Sequence, residues 1–220
     1  MLSIKSISKA YAGRTLFADM SLQINRRDRI GVVGRNGAGK STLFSIILKD
    51  ISADSGEIGL ERGAKIGYLP QESASTEDET VIELACSISR DFIVAAHRLG
   101  AFGQGSGGDP TDADYDTFES AGGNRLIAKA RQILSGLSFK DSDFDRPARE
   151  LSGGWIMRAH LARLLVLEPD LLMLDEPTNH LDLHSLIWLQ NYLLSYPGAI
   201  LLISHDREFL NLLVRHIVEL

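Results

Sequence analysis

The chain has 220 residues, 44% of them hydrophobic, enough to bury a core of its own within one domain that has subdivisions. Its formal net charge of -6 argues against a generally basic nucleic-acid-binding surface, and its single Cys86 excludes an internal disulfide. No run approaches the roughly 18–20 apolar residues of a membrane span and the start lacks the apolar stretch of a secretion signal, so the expected setting is the cytoplasm, without direct membrane insertion.

Near the start, residues 2–7, 21–24 and 56–58 alternate polar and apolar side chains, which predicts a small antiparallel sheet. The apolar run 29–33 reads as a buried strand and leads directly into Gly34-Arg35-Asn36-Gly37-Ala38-Gly39-Lys40-Ser41, then into a helical pattern at 42–48. The spacing is G-x-x-x-x-G-K-[ST], in the strand-to-helix context that this motif requires. Its glycines let successive backbone N–H groups turn inward on phosphate oxygens, and the helix behind adds roughly half a positive charge at its N-terminus. Lys40 then brings a full charge to the β- and γ-phosphates, the Ser41 hydroxyl suits a Mg²⁺ position, and Thr42 adds a phosphate hydrogen bond.

Residues 65–69 form a second strand, followed by Gln71; from 80 to 137 the pattern turns helical, with a glycine turn at Gly122-Gly123 and an exposed loop expected over 103–116. Leu151-Ser152-Gly153-Gly154-Trp155 stands ahead of another helical run, with Ser152 as N-cap and Ile156, Ala159, Leu164 and Leu167 on one face toward a core. Exposed glycine N–H groups at that helix start make a second anion-binding end. The strand 171–174 ends in Asp175-Glu176, placing two carboxylates at a C-terminal sheet edge, where α/β folds bind ligands. Asp175 suits Mg²⁺, and Glu176 suits positioning of a water with partial base character. The strand 200–203 ends at Ser204-His205-Asp206, so His205 emerges at the same edge. Short strands beside helical patterns predict an α/β chain with a mostly parallel central sheet covered on both faces.

Taken in order, these motifs resemble the ATP-binding-cassette family of P-loop NTPases. The resemblance implies a cassette with a small antiparallel β subdomain and a helical signature subdomain, the core over about 1–78 and 166–220 and the helical part over about 79–165. It implies ATP and Mg²⁺ as ligands and hydrolysis in a head-to-tail pair with a second cassette. Ser152, Gly153 and Gly154 would then bind the γ-phosphate of the opposite ATP, and Gln71 would sense Mg²⁺ and water. Tyr11 would stack on adenine, Asn179-His180-Leu181-Asp182 would contact the partner, and His205 would act as the switch histidine.

Trp155 in the fifth signature position, the string Glu176-Pro177-Thr178-Asn179-His180-Leu181-Asp182 and Ser204-His205-Asp206-Arg207 are similar to the ABC-F branch. Members of that branch lack membrane domains, carry two cassettes, and many act on the ribosome, near ribosomal RNA and tRNA. One cassette is found here, and the charged linker of the branch is not found after Leu220, which implies the first cassette of a tandem protein. Two alternatives stand beside this reading: the ATPase subunit of a membrane transporter, and a non-catalytic ATP-gated interaction module.

Overall fold

The computed structural model describes residues 1–11, 13–71, 78–103 and 108–220. In chain order, β1 (Leu2–Tyr11), β2 (Arg14–Ile24) and β3 (Arg29–Val33) precede α1 (Lys40–Ile47), β4 (Ser55–Leu60) and β5 (Ile66–Leu69). Then come α2 (Val81–Cys86), α3 (Arg90–Arg98), α4 (Asp112–Ser120), α5 (Gly123–Gly136) and α6 (Gly153–Leu167). The chain continues through β6 (Leu171–Asp175), α7 (Leu183–Leu194), β7 (Ala199–Ile203), α8 (Arg207–Leu213) and β8 (His216–Glu219). Two units result: residues 1–71, 168–179 and 190–220 form the first, and 72–167 with 180–189 the second.

The first unit holds a five-stranded sheet in the order β5-β6-β7-β3-β8 and a three-stranded sheet in the order β2-β1-β4. Every pairing in the larger sheet is parallel and both pairings in the smaller one are antiparallel. β6 and β7 are buried at all five of their positions, as strands covered on both faces must be. Side-chain alternation divides the apolar residues: Ile30, Val32, Leu171, Met173, Leu201 and Ile203 join Leu43, Phe44 and Ile47 of α1 and Leu2, Ile4 and Ile7 of β1 in one core. On the other face Leu210 of α8 packs over Gly31. β8, whose residues carried no strand signal beyond an apolar run, pairs with β3 from Ile30↔His216 to Val33↔Glu219. The small sheet reaches further than its alternation predicted, because irregular registers between β1 and β2 absorb the breaks in pattern and carry β1 on to Tyr11.

The second unit is helical. Thr80 begins α2 with a capping box: its hydroxyl accepts from Glu83 N and the Glu83 carboxylate accepts from Thr80 N. The same carboxylate lies 2.8 Å from His97 Nε2 on α3. Phe92 and Phe118 stack at 5.6 Å between α3 and α4. The loop expected over 103–116 is corrected: α4 begins at Asp112, since Thr111 and Asp114 form a second capping box and Asp114 also accepts from Arg98 at 3.2 Å. Residues 104–107 of that loop lie outside the described residues.

α6 also departs from expectation. Of the predicted face only Ala159 is fully buried; Ile156 and Leu164 are half-buried and Leu167 is exposed. The buried set is Met157, Arg158, Ala159, Leu161, Ala162, Leu165 and Val166, because α6 packs against both α2 and α5 and therefore covers a wide arc instead of a single stripe. Arg158, although charged, is only 9% exposed. Its guanidinium donates to His180 O at 2.8 Å, Asp182 Oδ2 at 2.7 Å and Leu137 O at 3.3 Å, and lies 4.5 Å from the centre of the Trp155 ring. Asp182 in turn accepts from Ser185 N at 2.8 Å in the first turn of α7.

Two outcomes are expected. A Cβ built at Gly136 would fall inside the Trp188 indole, so Gly136→Ala should destabilise the second unit by about 1–3 kcal/mol even though alanine favours helix by about 1 kcal/mol. The midpoint of urea denaturation measures this, and an unshifted midpoint would mean that Trp188 moves aside without cost. The Ser185 N–H first, and then Arg158, hold the Asp182 carboxyl well below the usual carboxylate range. Its stabilising contribution is therefore complete above about pH 4, the ordinary value of an unfolded aspartate, and is lost as pH falls toward the depressed folded value. Acid titration of stability should accordingly be shallower below about pH 4 in Asp182→Asn than in the parent chain, and superimposable curves would contradict the assignment.

Candidate functional site

The turn between β3 and α1 carries the phosphate motif. Gly39 adopts φ 105°, a left-handed conformation that a side chain would oppose, and thereby starts α1 with its first N–H groups exposed. Ala38 N donates to Arg35 O at 3.0 Å, closing the turn. Lys40 Nζ folds back on this loop, donating to Gly34 O at 2.9 Å and Arg35 O at 3.2 Å. An ammonium held only by loop carbonyls can exchange them for phosphate oxygens, which are stronger, charged acceptors.

Within the first unit this loop borders a cleft of about 630 Å³ lined by Tyr11, Leu16, Asn36, Gly37, Gly39, Lys40, Ser41, Thr42, Gln71, Asp175, Glu176, Asn179, Ile203 and His205. Most of the sequence-derived candidates therefore share one cavity. Gly34 and Ala38 line the adjoining hollow beside Arg14 and Arg35. Leu16 and Asn179 were not singled out as cleft residues; Leu16 falls where the alternating pattern is broken by the bulged strand, so no local signal marked it.

Ser41 Oγ donates to Asp175 Oδ2 at 2.9 Å, joining the start of α1 to the end of β6. Burial, the largest influence, raises the Asp175 carboxyl above its ordinary range, opposed by the Ser41 hydroxyl and the charges of Lys40 and His205. A hydroxyl and a carboxylate in contact, with Gln71 lining the same cleft, form a hard oxygen donor set of the kind Mg²⁺ takes together with substrate phosphates. Among the described residues no group of three or more His, Cys, Asp or Glu could hold a metal by itself.

Glu176 follows with φ 51°, an unfavourable conformation for a side-chain-bearing residue, and is 7% exposed. Two groups stabilise it: Glu176 N donates to Ile203 O at 2.9 Å, and Oε2 accepts from His205 N at 3.1 Å. Oε1 lies 3.4 Å from His205 Nε2 and is buried, with no aligned hydrogen-bond donor among the described residues. The His205 side chain is 63% exposed.

The remaining candidates belong to the second unit. Ser152 and Gly153 are exposed at the start of α6, where Ser152 O accepts from Ile156 N at 3.0 Å. Trp155 sits edge-on to Phe139 with centroids 4.9 Å apart. The Asp182 carboxylate is engaged by Ser185 and Arg158 within its own unit. Arg158 was missed in the sequence; the available signal was a charge between Met157 and Ala159, one of two arginines in a largely apolar helix.

Comparison with known proteins agrees with this geometry. A family profile described as ABC transporter matches residues 17–179. The Bacillus subtilis ATP-binding protein YdiF is 38% identical over 229 residues, covering 100% of this chain and 36% of that protein. ABC transporter F family member 5 of Arabidopsis thaliana is 34% identical, covering 99% of this chain and 33% of that protein. ATP-binding cassette sub-family F member 3 of Pongo abelii is 37% identical, covering 99% and 31%. The chain thus spans about a third of the length of the curated relatives it matches, and the similarity lies with the F branch. Among solved structures, an ATP-binding subunit of an ABC transporter superposes with a TM-score of 0.73 at 20% identity, covering 100% of this chain and 85% of that one. A dimeric ATP-binding cassette in a post-hydrolysis state bound to ADP and Pi gives 0.70 at 19% identity, covering 100% and 94%, and both likenesses speak for the fold. With its phosphate loop, paired carboxylates and signature in their expected order, the chain belongs to the ATP-binding-cassette family of ATPase domains, whose ligands are ATP and Mg²⁺.

Proposed function

We propose that this chain is the first cassette of a tandem ABC-F protein that closes on Mg-ATP, hydrolyses it against a second cassette, and uses that cycle to act on the ribosome. The observation that carries the catalytic part is the meeting of Lys40, Ser41, Asp175, Glu176, Gln71 and His205 in one cleft. The F-branch names of relatives that match 99% of this chain support its placement in that branch, and the ribosomal role is proposed from that placement. Among the described residues no helix is long and apolar enough to cross a membrane.

In this reading Lys40 leaves the Gly34 and Arg35 carbonyls for the β- and γ-phosphates as nucleotide enters. Ser41 and Asp175, already in contact, would hold Mg²⁺, which would supply positive charge to neutralise the phosphates. Glu176, gripped through its backbone by Ile203 and through Oε2 by His205, directs Oε1 to the attacking water. Proton acceptance by Glu176 is opposed by the adjacent phosphate charge, so orientation of the water is its larger contribution. His205 bears on the γ-phosphate side of the cleft. Ser152, Gly153 and Gly154 serve the ATP of the second cassette with backbone N–H groups, and the loop ending at Asp182 meets that partner. Tyr11, 52% exposed at the end of β1, stacks on adenine.

Lys40→Ala should weaken ATP binding about tenfold or more, read by equilibrium titration with a fluorescent nucleotide. Unchanged affinity would remove Lys40 from the phosphate site. Glu176→Gln should keep ATP affinity while lowering hydrolysis about 100-fold or more. In the full-length protein, with the matching change in the second cassette, it should co-sediment with ribosomes in the presence of ATP only. Protein left in the supernatant with and without ATP would reject the ribosomal target and direct attention to a membrane transporter or another ATP-gated partner.

A further inference from the structure

Lys9 lies two residues before Tyr11 on β1, so the two side chains leave the same face of the strand. Its ammonium is 5.6 Å from the centre of the Tyr11 ring. That ammonium is not free to reach a phosphate: it donates to Ser52 O and to Asp54 Oδ1, each at 2.8 Å, and the Lys9 side chain is only 13% exposed. Asp54 holds the other end of the arrangement. Its second oxygen, Oδ2, accepts from the backbone N–H of Ala10 at 2.7 Å, the residue immediately before Tyr11. Its own N–H donates to Ser8 O at 2.9 Å, which ties it to the ladder where β1 meets β4 at Ser8↔Ser55.

We infer that Asp54 is a positioning residue for adenine recognition, holding Lys9 against the Tyr11 ring and the Ala10 backbone in place so that the ring is ordered before nucleotide arrives. The inference rests on the reading that Tyr11 stacks on adenine. An exposed aromatic ring at the end of a hairpin loses rotational freedom when a base stacks on it, and that loss subtracts from affinity. A cation fixed at one face restricts the ring beforehand and leaves it as part of the cleft wall. Lys9 can do this only while its own long side chain is held, and Asp54 together with Ser52 O holds it. The Lys9 hydrogen bond first, and then the Ala10 N–H, keep the Asp54 carboxyl below its ordinary range, so the anionic acceptor is present throughout the neutral range. Among the described residues no aromatic ring stacks on Tyr11.

The test separates the base from the phosphates. Isothermal titration of the full-length protein with Mg-ATP and with Mg-tripolyphosphate, which has the phosphates without the base, is carried out for the parent, Tyr11→Ala, Asp54→Ala, Asp54→Asn and the Tyr11→Ala/Asp54→Ala double variant. Tyr11→Ala should cost about tenfold in ATP affinity, the order expected for one base–aromatic stack, with tripolyphosphate changed less than about twofold. Asp54→Ala should cost about three- to tenfold for ATP and again leave tripolyphosphate within about twofold. Asp54→Asn, which keeps an oxygen acceptor for Ala10 and gives up the charge that holds Lys9, should fall between parent and alanine variant. Adding Asp54→Ala to Tyr11→Ala should produce no further loss, as for two residues acting through one ring. The inference is overturned if Asp54→Ala lowers both ligands equally, if it leaves ATP affinity unchanged, or if its effect persists in the Tyr11→Ala background. If Tyr11→Ala itself leaves ATP affinity unchanged, the stacking reading falls and takes this inference with it.

Discussion

β6 and β7 are buried along their whole length and joined from Leu171↔Ala199 to Asp175↔Ile203, and that ladder places Asp175, Glu176 and His205 at one end of the sheet. Buried parallel strands have no solvent-facing positions, so polar chemistry is confined to their C-terminal ends. β3 ends at the phosphate loop, β6 at Asp175-Glu176 and β7 at Ser204-His205, all on one edge because the pairings are parallel. The Ser41–Asp175 hydrogen bond spans residues 134 apart in sequence yet only 2.9 Å apart in space. The strained φ of Glu176 depends on the same ladder: its N–H bonds to Ile203 O and so continues the β6–β7 pairing one residue beyond the strand. Strain of order 1–3 kcal/mol is tolerated where the surrounding structure over-determines the backbone, and here sheet and His205 do so together.

The second unit solves a different problem. A helix opening on two signature glycines has few side chains with which to fix its own orientation, and a buried arginine supplies the fixing. Desolvating Arg158 is expensive unless its N–H groups are matched, and Nε and Nη1 are matched by two backbone carbonyls and the Asp182 carboxylate. The acceptors come from the end of α5 and from the loop before α7, so one side chain registers three segments of the unit. Asp182 is accordingly a structural anchor within its own unit, a role that the resemblance to a partner-contacting loop did not suggest. The Trp155 ring beneath the guanidinium and Phe139 beside it extend this anchorage to the fifth signature position.

The sequence by itself determined β3, β5, β6 and β7 of the larger sheet, the phosphate loop, the carboxylate pair and the order of motifs, because each is a local pattern: apolar runs, glycine spacing, a charge at a strand end. It also identified the family, since several ordered motifs constrain one another along the chain. Tertiary structure alone decided what depends on partners distant in sequence. β8 became a strand because β3 offered it an open edge, and α6 buried a wide arc because α2 and α5 both pack on it. The start of α4 at Asp112 turned on a reciprocal cap that competed with a loop-like composition. Arg158 and Asp54 were invisible for the same reason: a charge in a sequence window reads as solvated surface, and only a three-dimensional set of acceptors or donors converts it into a clamp. Local pattern specifies which backbone conformations form; long-range packing specifies which polar groups meet, since hydrogen bonds and ion pairs are satisfied by distance in space and not by spacing in the chain.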